Sequence, residues 1–363
     1  MKGLYDSVSL KQAVAIIRAQ AESDDPITYV FEGEIGIGKS AMLTILEQQL
    51  GDKYYYCYVD MTVKDVGDFL VPFIREVNGQ QVTSFIPNEE FGFHLGKPVV
   101  MMLDEVGKTS KAVLNCALRL INEQKLGMYS LPAGSIVIGT TNLAREGVGD
   151  VFPPHARNRV AFCKIRKPSA DEWVTDYALM AGVAPEIIQA VTSFPDMLAS
   201  FEDYENPADN EYIFHPGASR PAFTSPRSLE KAGKIIVAQR GKIGNDELTH
   251  ILKGTVGARA AMDIMVSVNL NADLPRWEDI IKSPEKTEVP KSAAAVCMLI
   301  YQAVQRTDKT NISKWLTYCK RFSKEQQALF ATTMMRTSKS TMLGLEKDFI
   351  AWAGSHDWLF SRS

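Results

Sequence analysis

The chain lacks paired cysteines. Cys57, Cys116, Cys163, Cys297 and Cys319 are scattered through 363 residues with no C-x-x-C spacing, and their odd number argues against a disulfide framework. They read as reduced core thiols. Five histidines show no H-E-x-x-H or comparable ligand spacing, so a zinc site has little support, and His94 and His155 read as packing or loop residues. No apolar run approaches the ~18 residues of a membrane span. The longest, Ala293–Tyr301, has the length of a buried helix. Met1 to Gln20 has no unbroken apolar segment of the signal-peptide kind, and a cytoplasmic location is expected. Neither sign of charge dominates: 40 Lys and Arg against 43 Asp and Glu give a net charge of −3. Binding along a nucleic-acid duplex is therefore not the default expectation, although a local basic pore is compatible with that average. Low-complexity tracts and internal repeats are also missing.

What is present begins at Gly33-Glu34-Ile35-Gly36-Ile37-Gly38-Lys39-Ser40, which fits the phosphate-cradling pattern G-x-x-x-x-G-K-[ST] at every specified position. Upstream, Ile27-Thr28-Tyr29-Val30-Phe31 is a β-branched and aromatic run of strand type. Downstream, Leu43, Leu46 and Leu50 recur at helical spacing until Gly51 offers a C-cap. A loop between strand and helix is thus expected, with glycines letting backbone N–H groups converge on phosphate oxygens beside the positive end of a helix dipole. In such a loop Lys39 reaches the β- and γ-phosphates, and the Ser40 hydroxyl meets Mg²⁺.

A second element follows at Val99-Val100-Met101-Met102-Leu103-Asp104-Glu105. Five apolar residues behind Pro98 suit a central parallel strand, buried on both faces and ending at the carboxyl edge where open α/β sheets bind ligands. Asp104 would hold Mg²⁺ through its water shell, and Glu105 would act as general base on the attacking water. A third strand, Ile136-Val137-Ile138-Gly139, runs into Thr140-Thr141-Asn142. There Asn142 can orient water beside the γ-phosphate, or simply supply turn chemistry. Pro153 to Val160 is a short basic segment before the strand-like Ala161–Ile165. Ser225 reads as an N-cap with Pro226 at the first helical position, which puts Arg227 in a first turn. A cation there opposes the helix dipole, so an anionic ligand explains it better than local stability does.

In this order of parts the chain resembles the AAA+ ATPases: phosphate loop, Asp-Glu strand, sensor Asn142, arginine finger, then a sensor arginine, Arg227, on the lid. The resemblance covers about Lys11 to Asn269 and is nearest to the MoxR-like branch. Lys125 to Pro132 reads as the presensor β-hairpin of that branch, Asp68 to Pro87 lies where the family inserts an extra loop into its second helix, and Ser225-Pro226-Arg227 matches its Ser-Pro-Arg. Pro275 to Ile280 more loosely resembles phage-encoded and bacterial members. The resemblance implies an α/β P-loop core of three αβα layers with a parallel sheet, followed by a helical lid and a small C-terminal helical region. It further implies ATP and Mg²⁺, a homo-oligomeric ring, usually of six, and an arginine finger reaching the neighbouring subunit's site. Arg159 and Arg157 are both candidates for that finger.

The expected organisation is a nucleotide-binding core over residues 1–166, a lid over 167–270, and a linker with a C-terminal helical extension over 271–363. Asn271 to Pro290, with Pro275, Pro284 and Pro290, has the look of the linker. Between Ser200 and Thr224 no amphipathic period survives, as a long loop requires. Trp315, Trp352, Trp358, Phe322, Phe330, Phe349 and Phe360 are expected to pack inward, with recruitment of another protein as the alternative. In function the resemblance implies a chaperone-like ATPase that remodels a protein partner, in this family very often a von Willebrand factor A-type protein. A nucleic-acid motor or loader on the same core, and a nucleotide-gated assembly scaffold with slow turnover, stand as alternatives.

Overall fold

Short apolar runs separated by glycine- and proline-bearing turns build one parallel sheet in the first part of the chain. The computed structural model describes residues 7–23, 27–143, 158–337 and 346–355. Two compact units result, Met1–Lys167 and Pro168–Ser363. In the first, β1 (Tyr29–Gly33), β2 (Tyr55–Asp60), β5 (Val99–Asp104), β8 (Ile136–Thr141) and β9 (Ala161–Ile165) form five strands in the order β2-β5-β8-β1-β9. All neighbouring pairs are parallel. The strand read from Ile27 starts at Tyr29, two residues later.

Alternating side chains of these strands feed two separate cores, as the period of two demands. On one face Phe31, Val100, Met102 and Ile138 pack with Ala13, Val14 and Ile17 of α1 (Leu10–Gln20) and with Met42, Leu43 and Leu46 of α2 (Ala41–Leu50). On the other face Val30, Val99, Met101, Leu103 and Val137 meet Val113, Ala117, Leu120 and Ile121 of α3 (Lys111–Glu123). The result is a three-layer αβα core. β5 is buried along its whole length, as a central strand covered on both faces must be.

Residues 68–87 correct the sequence reading. Instead of a loop set into a helix they form β3 (Leu70–Val77) and β4 (Gln80–Pro87), an antiparallel hairpin in which Val77 faces Gln80. Asn78 and Gly79 make the two-residue turn, both at positive φ of 52° and 77°, the geometry that Asn-Gly favours. No α-helix lies between β2 and β5 among the described residues. Within residues 125–132 a short antiparallel hairpin forms from β6 (Lys125–Leu126) and β7 (Tyr129–Ser130).

The second unit is helical, and a single apolar cluster runs through it from Trp173 to Trp352. The segment 271–290 corrects a second reading: it contains a helix, Trp277–Lys282, whose Ile280 is buried and whose Trp277 ring lies 5.5 Å from that of Trp315. Trp315 is fully buried and also touches the rings of Tyr318, Phe322 and Phe330. Trp352 and Phe349 are buried as well, whereas Trp358 and Phe360 lie outside the described residues. No described helix is long and apolar enough to cross a membrane.

Trp315 sits at the centre of this aromatic group, so its loss leaves a cavity that rigid neighbours cannot close. Trp315→Ala is expected to destabilise the second unit by about 3–5 kcal/mol. Denaturant unfolding, followed by the fluorescence of the remaining tryptophans, measures it.

Candidate active site at the carboxyl edge of the sheet

Parallel pairing places the ends of β1, β5 and β8 along one edge, and each end delivers polar residues there. From β1 the chain enters the loop Gly33–Ser40 and then α2. Gly36 and Gly38 take φ of 74° and 99°, which side-chain-bearing residues rarely adopt. Gly33 is constrained differently: a Cβ there would lie 2.8 Å from the Ile165 carbonyl oxygen and 2.7 Å from Ile37 Cδ1. Glu34 is buried, with its carboxylate 3.7 Å from the Lys167 ammonium, while Ile35, Gly36 and Ile37 carry the loop around.

Lys39 is buried, and its Nζ donates to the carbonyls of Gly33 at 2.7 Å and Glu34 at 2.9 Å and to Asn142 Oδ1 at 2.7 Å. Across the same amide, Asn142 Nδ2 donates to both Glu105 oxygens at 3.1 and 3.2 Å. Charge sets the amide's orientation: its oxygen faces the ammonium and its NH₂ faces the carboxylate. Lys108 Nζ lies 2.8 Å from Glu105 Oε2 on the other side. Glu105 holds a left-handed backbone, φ 59° and ψ 36°, unusual without glycine and found at sites that aim a side chain.

Ser40 is the N-cap of α2, yet its hydroxyl makes no capping bond and instead donates to Asp104 Oδ2 at 2.7 Å. A serine in that position ordinarily caps. Asp104 also accepts from Tyr58 Oη, at 2.8 Å on Oδ2, and from Thr140 Oγ1 on Oδ1. Burial alone would raise the Asp104 pKa, but the bonds from Thr140, Ser40 and Tyr58 and the charge of Lys39 together hold it below the usual carboxylate value. Burial, with the bond to Asp104 second, pushes the Tyr58 phenol up to about 12 and keeps it a donor. Nothing in the sequence marks Tyr58 or Thr140 for this role, because each reads as an ordinary strand residue. Lys108, three residues beyond Glu105, was missed as well.

Chemically, this edge offers glycine-freed backbone and a buried ammonium for an anion, and a hydroxyl–carboxylate oxygen pair for a hard divalent cation. Among the described residues no cluster of three or more His, Cys, Asp or Glu side chains could hold a metal by itself. Two protein oxygens nonetheless fit Mg²⁺, which keeps most of its water and takes its remaining ligands from phosphate. Glu105 stands one residue beyond that pair, where it can accept a proton.

Of the expected arginines, Arg159 lies away from these strand ends. Ala161 is level with Tyr29, the first residue of β1, so Arg159 lies at the amino edge of the sheet, exposed in the turn before β9. A five-residue strand spans about 16 Å, which separates Arg159 from its own chain's loop. Arg157 and His155 lie outside the described residues. Arg227 is exposed in the first turn of the helix Pro226–Gln239 of the second unit, behind the Ser225 cap.

No family model matches this chain, and no curated protein does. Among solved structures the chain is similar to RuvB of Thermotoga maritima at 14% identity, over 78% of this chain and 76% of that one, with a TM-score of 0.37. NtrX of Brucella abortus has 15% identity over 90% of this chain and 67% of that one, at 0.38. Hsp104, in a structure with ATPγS and casein, has 16% identity over 72% and 46%, also at 0.38. Likeness of that degree carries no argument about this chain.

Because the folded state holds Asp104 more acidic than the unfolded chain does, Asp104 contributes stability that is complete above about pH 4 and is lost as pH falls through its folded value. Melting temperatures taken from pH 6 down to pH 2 should therefore drop less steeply for Asp104→Asn than for the unaltered protein.

Proposed function

We infer that the chain is an ATPase of the AAA+ type, nearest to the MoxR-like branch, that hydrolyses MgATP and works as a ring. The observation that carries the reading is the continuous relay Lys39–Asn142–Glu105 beside the pair Ser40–Asp104, drawn from three strand ends. Phosphate oxygens are charged acceptors and compete for the Lys39 ammonium against two neutral carbonyls and an amide. Asp104 and Ser40 would hold Mg²⁺, which neutralises charge developing on the phosphates. Glu105 would take the proton of the attacking water, and Asn142 would align that carboxylate with the γ-phosphate. Gly33 through Gly38 would wrap the phosphates with backbone N–H groups, and Arg227 would meet nucleotide from the lid.

The arginine finger supports assembly by position. Arg159 on the amino edge stands a strand length from its own loop, so a charge it supplies goes to a neighbouring copy's site. Arg157, in the same segment, is the other candidate. A hexamer is the ring size the family resemblance implies. Support for the MoxR-like branch comes from the hairpin β6–β7 and from Ser225-Pro226-Arg227. A protein partner, with a von Willebrand factor A-type protein as the family's usual one, is preferred over nucleic acid because the hairpin β3–β4 exposes Val71, Ile74, Phe85 and Ile86 and only one cation, Arg75. Apolar surface of that kind suits protein contact, whereas phosphate backbones select Lys and Arg.

Substitutions at Glu105, Lys39 and Arg159 test this. Glu105→Gln should bind ATP with unchanged affinity and lose about 10²–10⁴ in hydrolysis rate, as removal of a general base does, whereas Lys39→Ala should lose ATP binding itself. Equilibrium binding of a fluorescent ATP analogue, with phosphate release, separates the two. Arg159→Ala should lower the rate by about tenfold or more, since an arginine supplied in trans carries large factors in related chemistry. Mixing Arg159→Ala with Glu105→Gln subunits should restore activity that neither has alone, because one then supplies the base and the other the arginine. Failure of every mixture to recover would count against a shared site.

A further inference from the structure

Strand β2 lies at one side of the sheet, and two residues near its end stand close to Asp104. Asp60 is level with it across the β2–β5 pairing. Its carboxylate, however, turns away to accept from Thr62 N at 2.9 Å and Thr62 Oγ1 at 2.6 Å, closing a turn. Tyr58, two residues earlier, sends its hydroxyl to Asp104 Oδ2. Burial of the ring does not explain this. Tyr58 is 49% exposed and borders a cavity of about 310 Å³ along with Tyr56, Val63 and Lys64. A half-exposed tyrosine can satisfy its hydroxyl with water at no cost, yet this one is turned inward against a buried carboxylate.

We propose that Tyr58 is a positioning residue of the metal–nucleotide site, fixing the one orientation in which Asp104 meets the cation's water shell. The inference rests on the ATPase reading given above. A carboxylate has about four lone-pair sites. Ser40 and Tyr58 occupy those of Oδ2, and Thr140 occupies one of Oδ1, which leaves a single acceptor site on Oδ1. Ser40 is shared, because its oxygen is also the atom placed for the cation. Thr140 is shared too, since the Glu105 backbone N–H approaches its Oγ1 at 3.4 Å. The Tyr58 hydroxyl in turn stands beside that of Ser40, the two meeting on the same Asp104 oxygen. Without its hydroxyl, Oδ2 would regain an open site, the carboxylate could turn about its own axis, and the cation's shell would face two acceptors of equal standing.

Tyr58→Phe removes the hydroxyl and keeps the ring, so β2 is left intact. Two affinities are measured on the full chain: that of a fluorescent ATP analogue without divalent metal, and that of Mn²⁺ in the presence of the analogue, by electron paramagnetic resonance. The loss of one hydrogen bond to a charged group, partly replaced by water at a half-exposed residue, is expected to weaken Mn²⁺ by about three- to tenfold. Metal-free nucleotide binding should stay within twofold. The Mg²⁺ concentration for half-maximal hydrolysis should rise in parallel with the Mn²⁺ constant, with the rate at saturating Mg²⁺ largely retained. Unchanged Mn²⁺ affinity would overturn the proposal. So would a parallel fall of both affinities with a lowered melting temperature, which would mark Tyr58 as a strand-packing residue only. If the unaltered protein bound neither the analogue nor Mn²⁺, the ATPase reading would fail and this inference with it, a result distinguishable from failure of the tyrosine alone.

Discussion

The structure depends on the parallel alignment of β1, β8 and β5, because that alignment alone brings Lys39, Asn142 and Asp104 to one edge. β8 lies between the other two strands, so its tip can touch both: Asn142 reaches Lys39 on the β1 side and Glu105 on the β5 side. An ammonium and a carboxylate are thereby held on opposite ends of one amide, the ammonium buried and the Glu105 carboxylate partly so. Lys39, Asp104 and Asn142 are each only 6% exposed. Buried charges are expensive unless partnered, and here each is paired with groups from a different strand. Sheet register and site geometry are therefore the same constraint. A one-residue slip of β5 would turn Asp104 away from Ser40 and would also move its core residues to the wrong face.

Much of this was legible because the informative elements are local. A glycine pattern between a strand and a helix, five apolar residues ending in Asp-Glu, and a Ser-Pro helix start each reflect backbone geometry within a few residues of the motif. The structure agrees on the strand ending in Asp104 and on the Ser225 cap. Misreadings arose where long-range contact decides. The hairpin of residues 70–87 carries an Asn-Gly turn signal, but its strands do not alternate cleanly, because most of both faces is exposed. The proline-bearing stretch after Asn271 reads as linker until Trp277 and Ile280 are seen packed in the second unit's core, a fact that spacing within twenty residues cannot contain. Tyr58 is the plainest case. In the sequence it is one of several tyrosines in a strand, and only the order of strands puts it next to Asp104.

Lys39 inside the candidate site and Arg159 outside it differ for a physical reason. Lys39 is enclosed and surrounded by oxygen acceptors, so its energy is set by which anion lies nearest. Arg159 is exposed and at the opposite edge, where solvent screens it until another surface covers it. A charge of the second kind is inexpensive to carry and becomes strong only on contact. The same sheet thus carries a buried cation at one edge and an exposed one at the other, kept apart by the length of a strand.

Gly33 and Glu34 give the phosphate loop a stiffness that its glycine content conceals. The first has no room for a Cβ against the Ile165 carbonyl, and the second pairs in the interior with Lys167. Ile165 closes the last strand of the sheet, and Lys167 is the last residue of the first unit. The start of the loop and the exit of the chain from this unit are thus one mechanical piece, joined by a backbone contact and an ion pair shielded from salt. A side chain at position 33 would therefore press on the exit strand as well as on the loop, since its Cβ would meet the Ile165 carbonyl oxygen at 2.8 Å.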